Sequence, residues 1–147
     1  MKQDAMYKSA HIPFDCFIGK WEGLSKTFDI DGNFLEATPV HMDIFWKDEE
    51  TFIQTEHIEN LYQVGEVNLK SEIKVNGKNA FAKTSHLHLL ATELTPNTYL
   101  FRVESGASNT TLHNTHYFLN ENARRVITHK MKQGETFVFQ VQDFVRI

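Results

Sequence analysis

Cysteine is nearly absent from this chain. The single thiol, Cys16, cannot form an internal disulfide, which fits a reducing compartment, and a small buried apolar role suits it better than that of a nucleophile. Basic clusters are missing too. Fifteen Lys and Arg stand against nineteen Asp and Glu, a net charge of −4, and Arg124-Arg125 is too short to form a patch. A general nucleic-acid binder needs a basic face to release counterions, so that class is excluded. No apolar run reaches the length that spans a bilayer. The opening residues, Met1 to Lys8, lack the apolar centre of a signal peptide, so the chain is expected to be mature and cytoplasmic. Linkers, low-complexity tracts and internal repeats are absent as well. So are the phosphate-binding loop, the dinucleotide fingerprint and the nucleophile elbow. Gly19 and Gly23 flank Trp21 but sit in no strand-helix-strand context.

What is present points to strands. The 147 residues make one domain, 1–147, long enough to bury a core without staples. Twelve Phe, four Tyr and two Trp against three Pro favour strands with aromatic faces. Turn signals recur at short intervals, among them Asp31-Gly32, Lys47 to Glu50, Glu59-Asn60, Asn76-Gly77, Asn120 to Asn122 and Gln133-Gly134. Such spacing predicts hairpins closed into a sandwich or barrel. Asp31-Gly32 and Asn76-Gly77 are the strongest hairpin signals, because tight primed turns need positive φ. Between the turns several segments alternate. Val67, Leu69, Ser71, Ile73 and Val75 share one face, Val40, Met42, Ile44 and Trp46 another, and Phe137, Phe139, Val141, Asp143 and Val145 a third. Helical periodicity is weak, and the one expected helical turn lies near residues 4–16.

Two segments alternate poorly: Thr84 to Leu90 and Thr111 to Phe118 carry polar groups on both faces. A solid core demands a cleaner apolar face. A barrel lining that binds a ligand does not. A bulge that swaps faces midway accounts for the same pattern, and the sequence leaves the two readings open.

The run Phe14 to Gly23, with Gly19-Lys20-Trp21, and the following Phe28-Asp29-Ile30-Asp31-Gly32 resemble the opening of calycin proteins, the superfamily of lipocalins and fatty-acid-binding proteins. The likeness is to its bacterial branch, which includes phycobiliprotein lyases, heme-binding nitrobindins and an uncharacterised cyanobacterial lipocalin-like family. The resemblance covers about the first third of the chain and its last strand. It implies an all-β fold: a single antiparallel up-and-down β-barrel, lipocalin-like, with a short N-terminal helical turn. It also implies structural roles. Gly19 lets the backbone turn onto the barrel floor, Trp21 plugs that floor, and Arg146 on the last strand packs over the tryptophan. As a cofactor or cargo it implies a bound tetrapyrrole, lipid or similar small hydrophobic molecule. It says little about which.

Eight histidines are many for this length. His86 and His88 share one strand face, a spacing that lets two imidazoles reach one metal. His113, His116 and His129 follow on later strands. The competing reading is of scattered surface or hydrogen-bonded histidines, and without a compact ligand motif we expect no stoichiometric zinc. Acid-base candidates are Glu56, Asp43, Arg102 and Glu104. Glu56 becomes an acid of raised pKa if its face turns inward, and a solvated carboxylate if Ile53 turns inward instead. Arg102 is either an exterior charge or an anchor for a ligand carboxylate.

The expected inward set is Trp46, Gln54, Glu56, His86, His88, Arg102, His113 and Tyr117. These are the ligand-contact candidates, with Trp46, Phe101, Tyr117 and Phe139 as aromatic walls. Three functions fit. The first is binding of a small hydrophobic or amphipathic ligand, such as a bilin or fatty acid, with chaperone or lyase activity as its most specific form. The second is a small-barrel isomerase, cyclase or lyase using Glu56 with His86, His88 or His113. The third is a structural or interaction barrel with a filled interior. Convergent titratable groups in one pocket favour the enzyme, and a wholly apolar pocket the carrier. A homodimer and a monomer are equally consistent with the sequence.

Overall fold

A computed structural model describes residues 11–61, 65–85, 87–106 and 109–147. A 3-10 turn, η1 (Asp15–Phe17), leads into ten strands: β1 (Gly19–Asp29), β2 (Phe34–Trp46), β3 (Thr51–Leu61), β4 (Gly65–Asn76), β5 (Asn79–Lys83), β6 (Leu87–Thr95), β7 (Thr98–Ser105), β8 (Thr110–Asn120), β9 (Ala123–Lys132) and β10 (Glu135–Arg146). Each strand pairs antiparallel with its sequence neighbours, and β1 pairs with β10 to close the barrel. Closure leaves no open sheet edge. Among the described residues, no helix is long and apolar enough to cross a membrane.

The local chemistry explains the hairpins. Between β1 and β2 the Asp29 carboxylate accepts the amides of Asp31 and Asn33, at 3.0 and 2.9 Å. Between β9 and β10, Gln133 and Gly134 both take positive φ, 54° and 81°, the primed geometry that matches the twist of the flanking strands. The turn expected at Glu59-Asn60 lies inside β3 instead, because the strand runs on to Leu61 through a register shift after Ile58.

One end of the barrel is a floor. Trp21 is fully buried, and its Nε1 donates to the Phe17 carbonyl at 2.9 Å. Phe14 and Phe17 from the entry turn insert among Phe52, Tyr99, Phe101 and Phe118, with ring centroids 4.9 to 6.3 Å apart. Phe14 has a φ of 72°, uncommon for a bulky residue. Burial and a hydrogen bond from its amide to the Tyr99 hydroxyl, 3.2 Å, hold it there. The Arg146 guanidinium lies 4.3 Å from the Trp21 ring centroid and donates to the carbonyls of Cys16, Ile18 and Glu121. It thus ties β10 to the entry turn. Gly19 is required at this seam, because a Cβ there would overlap that guanidinium. The helical turn falls at Asp15–Phe17, at the end of the expected region; residues 4–10 lie outside the described set.

Candidate functional site

The interior on the far side of the floor holds a cavity of about 290 Å³. Its lining is two-sided. Leu87 and Leu89 of β6, Phe101 and Val103 of β7, and Val40 and Ile73 make an apolar wall. Asn114 and His116 of β8, Thr128 and Lys130 of β9, and Gln140 and Gln142 of β10 make a polar one, with Gln54 and Glu56 of β3 also facing in. This is a larger polar share than the few groups expected, and among the described residues Phe101 is the one Phe, Tyr or Trp that lines the cavity. The polar wall follows from the seam. Gln140 and Gln142 stand opposite Thr27 and Ser25, so the inward face of β10 is its amide face, and Phe139 and Val141 turn outward.

The sequence-derived candidates divide accordingly. Gln54 and Glu56 line the cavity. Trp46 does not; it sits at the rim of the floor, where its Nε1 donates to the Asp15 carboxylate at 2.8 Å and its ring meets Phe52 at 5.7 Å. His88 and Tyr117 are exposed, and Arg102 is exposed and paired with Glu104 at 2.8 Å. His113 lies between two cavity-lining neighbours, Leu112 and Asn114, so strand alternation turns it outward beside His129 and Arg102. Phe139 is outside as well, with its ring 5.2 Å from His129. His86 lies outside the described residues. Of the acid-base candidates among the described residues, the structure therefore brings Glu56 alone to the cavity.

Sequence reasoning left Asn114, His116 and Lys130 out of the inward set, though it had named His116 among the histidines. Phe118, two residues on from His116, carried the signal. Its large ring belongs in the core, and counting back by twos from it puts His116, Asn114 and Leu112 inside.

Burial sets the electrostatics. It pushes the Glu56 carboxyl above its usual range, against the pull of Arg124 and Lys130. Burial, then the Arg124 charge, holds the His116 imidazole well below its usual value, so it is neutral. Burial also lowers the Lys130 amine, opposed by Glu36 and Glu56. Below the cavity, Arg124 is 1% exposed, and no carboxylate lies within ion-pair distance of it among the described residues. Its guanidinium instead lies 4.7 to 5.7 Å from the ring centroids of Phe17, Trp21, Phe118 and Phe144 and donates to Met42 Sδ. Burial pushes it down to about 9, still protonated at neutral pH. Glu93, also in the floor, accepts from Tyr99 and His11. The Cys16 thiol is raised by burial, which disfavours the thiolate. Among the described residues, no group of three His, Cys, Asp or Glu side chains is arranged to hold a metal ion.

No family model and no curated protein matches the sequence. Solved structures resemble it in fold. A protein of unknown function from the DUF3598 family of Nostoc punctiforme aligns over 93% of this chain and 50% of its own, with 12% identity and a TM-score of 0.76. This chain thus spans about half the length of that protein. The S-type phycobiliprotein lyase CPES from Guillardia theta aligns over 91% and 90%, with 11% identity and a TM-score of 0.71. Rv2717c from M. tuberculosis aligns over 90% and 94%, with 8% identity and a TM-score of 0.65. At these identities the likeness is one of fold. With its ten-stranded up-and-down barrel, Trp21 floor and Arg146 clasp, the chain has a calycin-like fold.

Proposed function

We propose that this barrel binds a small amphipathic molecule non-covalently in its interior. The observation that carries the reading is the two-sided cavity of about 290 Å³. An apolar wall supplies most of the binding free energy by burying ligand surface, and a polar wall fixes orientation. The volume sits at the lower end of the roughly 300–1,000 Å³ range of ligand pockets, which favours a compact ligand over a fully enclosed tetrapyrrole. The fold likeness to a bilin lyase supports a small-molecule role without selecting the molecule. Native mass spectrometry of the purified protein, with displacement titration of a fluorescent aromatic probe, tests the reading. The expected result is a retained small molecule or micromolar probe binding that Val103→Trp, which fills the cavity from β7, abolishes without unfolding the chain. Absence of both retained mass and probe binding overturns it.

A second reading, an acid-base enzyme, is favoured by one observation. Glu56, His116 and Lys130 line the same cavity, and burial perturbs all three. A carboxyl that holds its proton more tightly than usual and a neutral imidazole are the pair that a proton-shifting isomerase needs. If that reading holds, a ligand identified by mass spectrometry is converted to an isomer by the wild type and not by Glu56→Gln.

A further inference from the structure

Two side chains of the polar wall have buried atoms with no protein hydrogen-bond partner among the described residues: Asn114 Oδ1 and His116 Nδ1. Buried polar atoms are almost always paired, and each one left alone destabilises the fold that holds it. Here the two are neighbours. They belong to alternate residues of β8, so they project to the same side, about 6.8 Å apart along the strand. Arg124 Nε, the third such atom among the described residues, belongs to a guanidinium set among the rings of the floor, and Arg124 does not line the cavity.

The surroundings define what would satisfy the pair. Asn114 Oδ1 accepts, so it requires an N–H or O–H donor. His116 is neutral, so its Nδ1 requires one neutral partner and not a counter-ion. The Phe101 ring lies 4.6 Å from the His116 ring, and Leu89 and Val103 continue that apolar surface beside it. A flat apolar body fits against such a wall. The charged groups that line the interior, Glu56 and Lys130, are of opposite sign, and the buried Arg124 adds a cation below them; a carboxylate only accepts, so it cannot pair with the Asn114 oxygen.

We infer that the ligand is a compact, flat, largely apolar molecule carrying two neutral hydrogen-bonding groups along one edge, spaced to meet Asn114 and His116. Hydroxylated aromatic or polycyclic compounds are the class; a plain fatty acid, with one charged head and a bare chain, is not. This rests on the interior being a ligand site.

Calorimetric titration with four probes separates the possibilities: decanoate, naphthalene, 2-naphthol and 2,7-dihydroxynaphthalene, whose two hydroxyls share one edge. In the wild type each hydroxyl is expected to tighten binding by about tenfold, one hydrogen bond to an otherwise unpaired buried partner. Asn114→Leu removes about tenfold from the ratio of diol to naphthalene affinity, and His116→Phe does the same at the other position. Asn114→Leu also raises the melting temperature of the free protein, because an unpaired atom is replaced by an apolar one. If decanoate and naphthalene bind but hydroxyls add nothing, as when trapped water already meets both atoms, this inference falls and the interior site stands. If none of the four binds, this inference falls, and if native mass spectrometry also finds no retained molecule, the interior site falls with it. The probe series needs no variant, so the outcome holds even if one substitution fails to fold.

Discussion

Replacing Trp21 with alanine should remove most of the stability of this protein. The side chain is fully buried, and three separate contributions disappear with it. Truncating a core tryptophan costs about 3–5 kcal/mol in transfer and cavity free energy. Losing the Nε1 donor leaves the Phe17 carbonyl short of a 2.9 Å hydrogen bond, worth about 1 kcal/mol or more. Two guanidinium groups, Arg146 at 4.3 Å and Arg124 at 4.7 Å from the ring centroid, lose an aromatic face, at about 0.5–2 kcal/mol each. The combined loss is at least about 5 kcal/mol against a typical domain stability of about 5–15 kcal/mol. Trp21→Phe keeps a ring for the cations and loses chiefly the donor and some volume, so it should cost about 1–3 kcal/mol. Urea denaturation followed by circular dichroism, with Trp46 as the remaining fluorophore, measures both. A Trp21→Ala protein that unfolds cooperatively with a loss below about 2 kcal/mol would refute the floor as the organising contact of the barrel.

Gly19→Ala and Arg146→Met should each destabilise, and the double variant should lose less than their sum, because the new methyl and the guanidinium compete for one space; a double-mutant cycle in urea measures this. The His116 imidazole refuses in the folded state a proton that the unfolded chain takes near pH 6.5, so its contribution is fully present above that pH and is lost as pH falls below it. His116→Phe should flatten the decline in denaturation midpoint between pH 7 and pH 5. Glu56 has the opposite sign. Its raised folded pKa means that stability is full below the ordinary carboxylate range and declines as pH rises through it, so Glu56→Gln should raise the midpoint at pH 7 and leave it unchanged near pH 4.

The sequence alone determined the all-β strand pattern, most of the hairpin positions and the closed end. Asp31-Gly32 and Asn76-Gly77 mark turns by backbone sterics, and Gly19, Trp21 and Arg146 mark the floor. Each is a local signal, or a signal tied to a known pattern, that needs no knowledge of the rest of the chain. Which face of each strand looks inward was a different problem. In β2 the apolar face Val40, Met42 and Ile44 is the inner one, as alternation suggests. In β10 the rule reverses: Phe139, Val141 and Val145 face out, and Gln140 and Gln142 face in. A period of two names the two faces of a strand but not their direction. Direction is set by pairing across the seam, where Trp21 opposite Arg146 carries Ser25 and Thr27 opposite Gln142 and Gln140. The same one-residue ambiguity exchanged His113 and Tyr117 for Asn114 and His116 on β8. Only the closed barrel resolves it, because a side chain is inside or outside only once ten strands share one interior. For a cavity half lined with polar groups, the apolar pattern that ordinarily points to the core has lost its meaning.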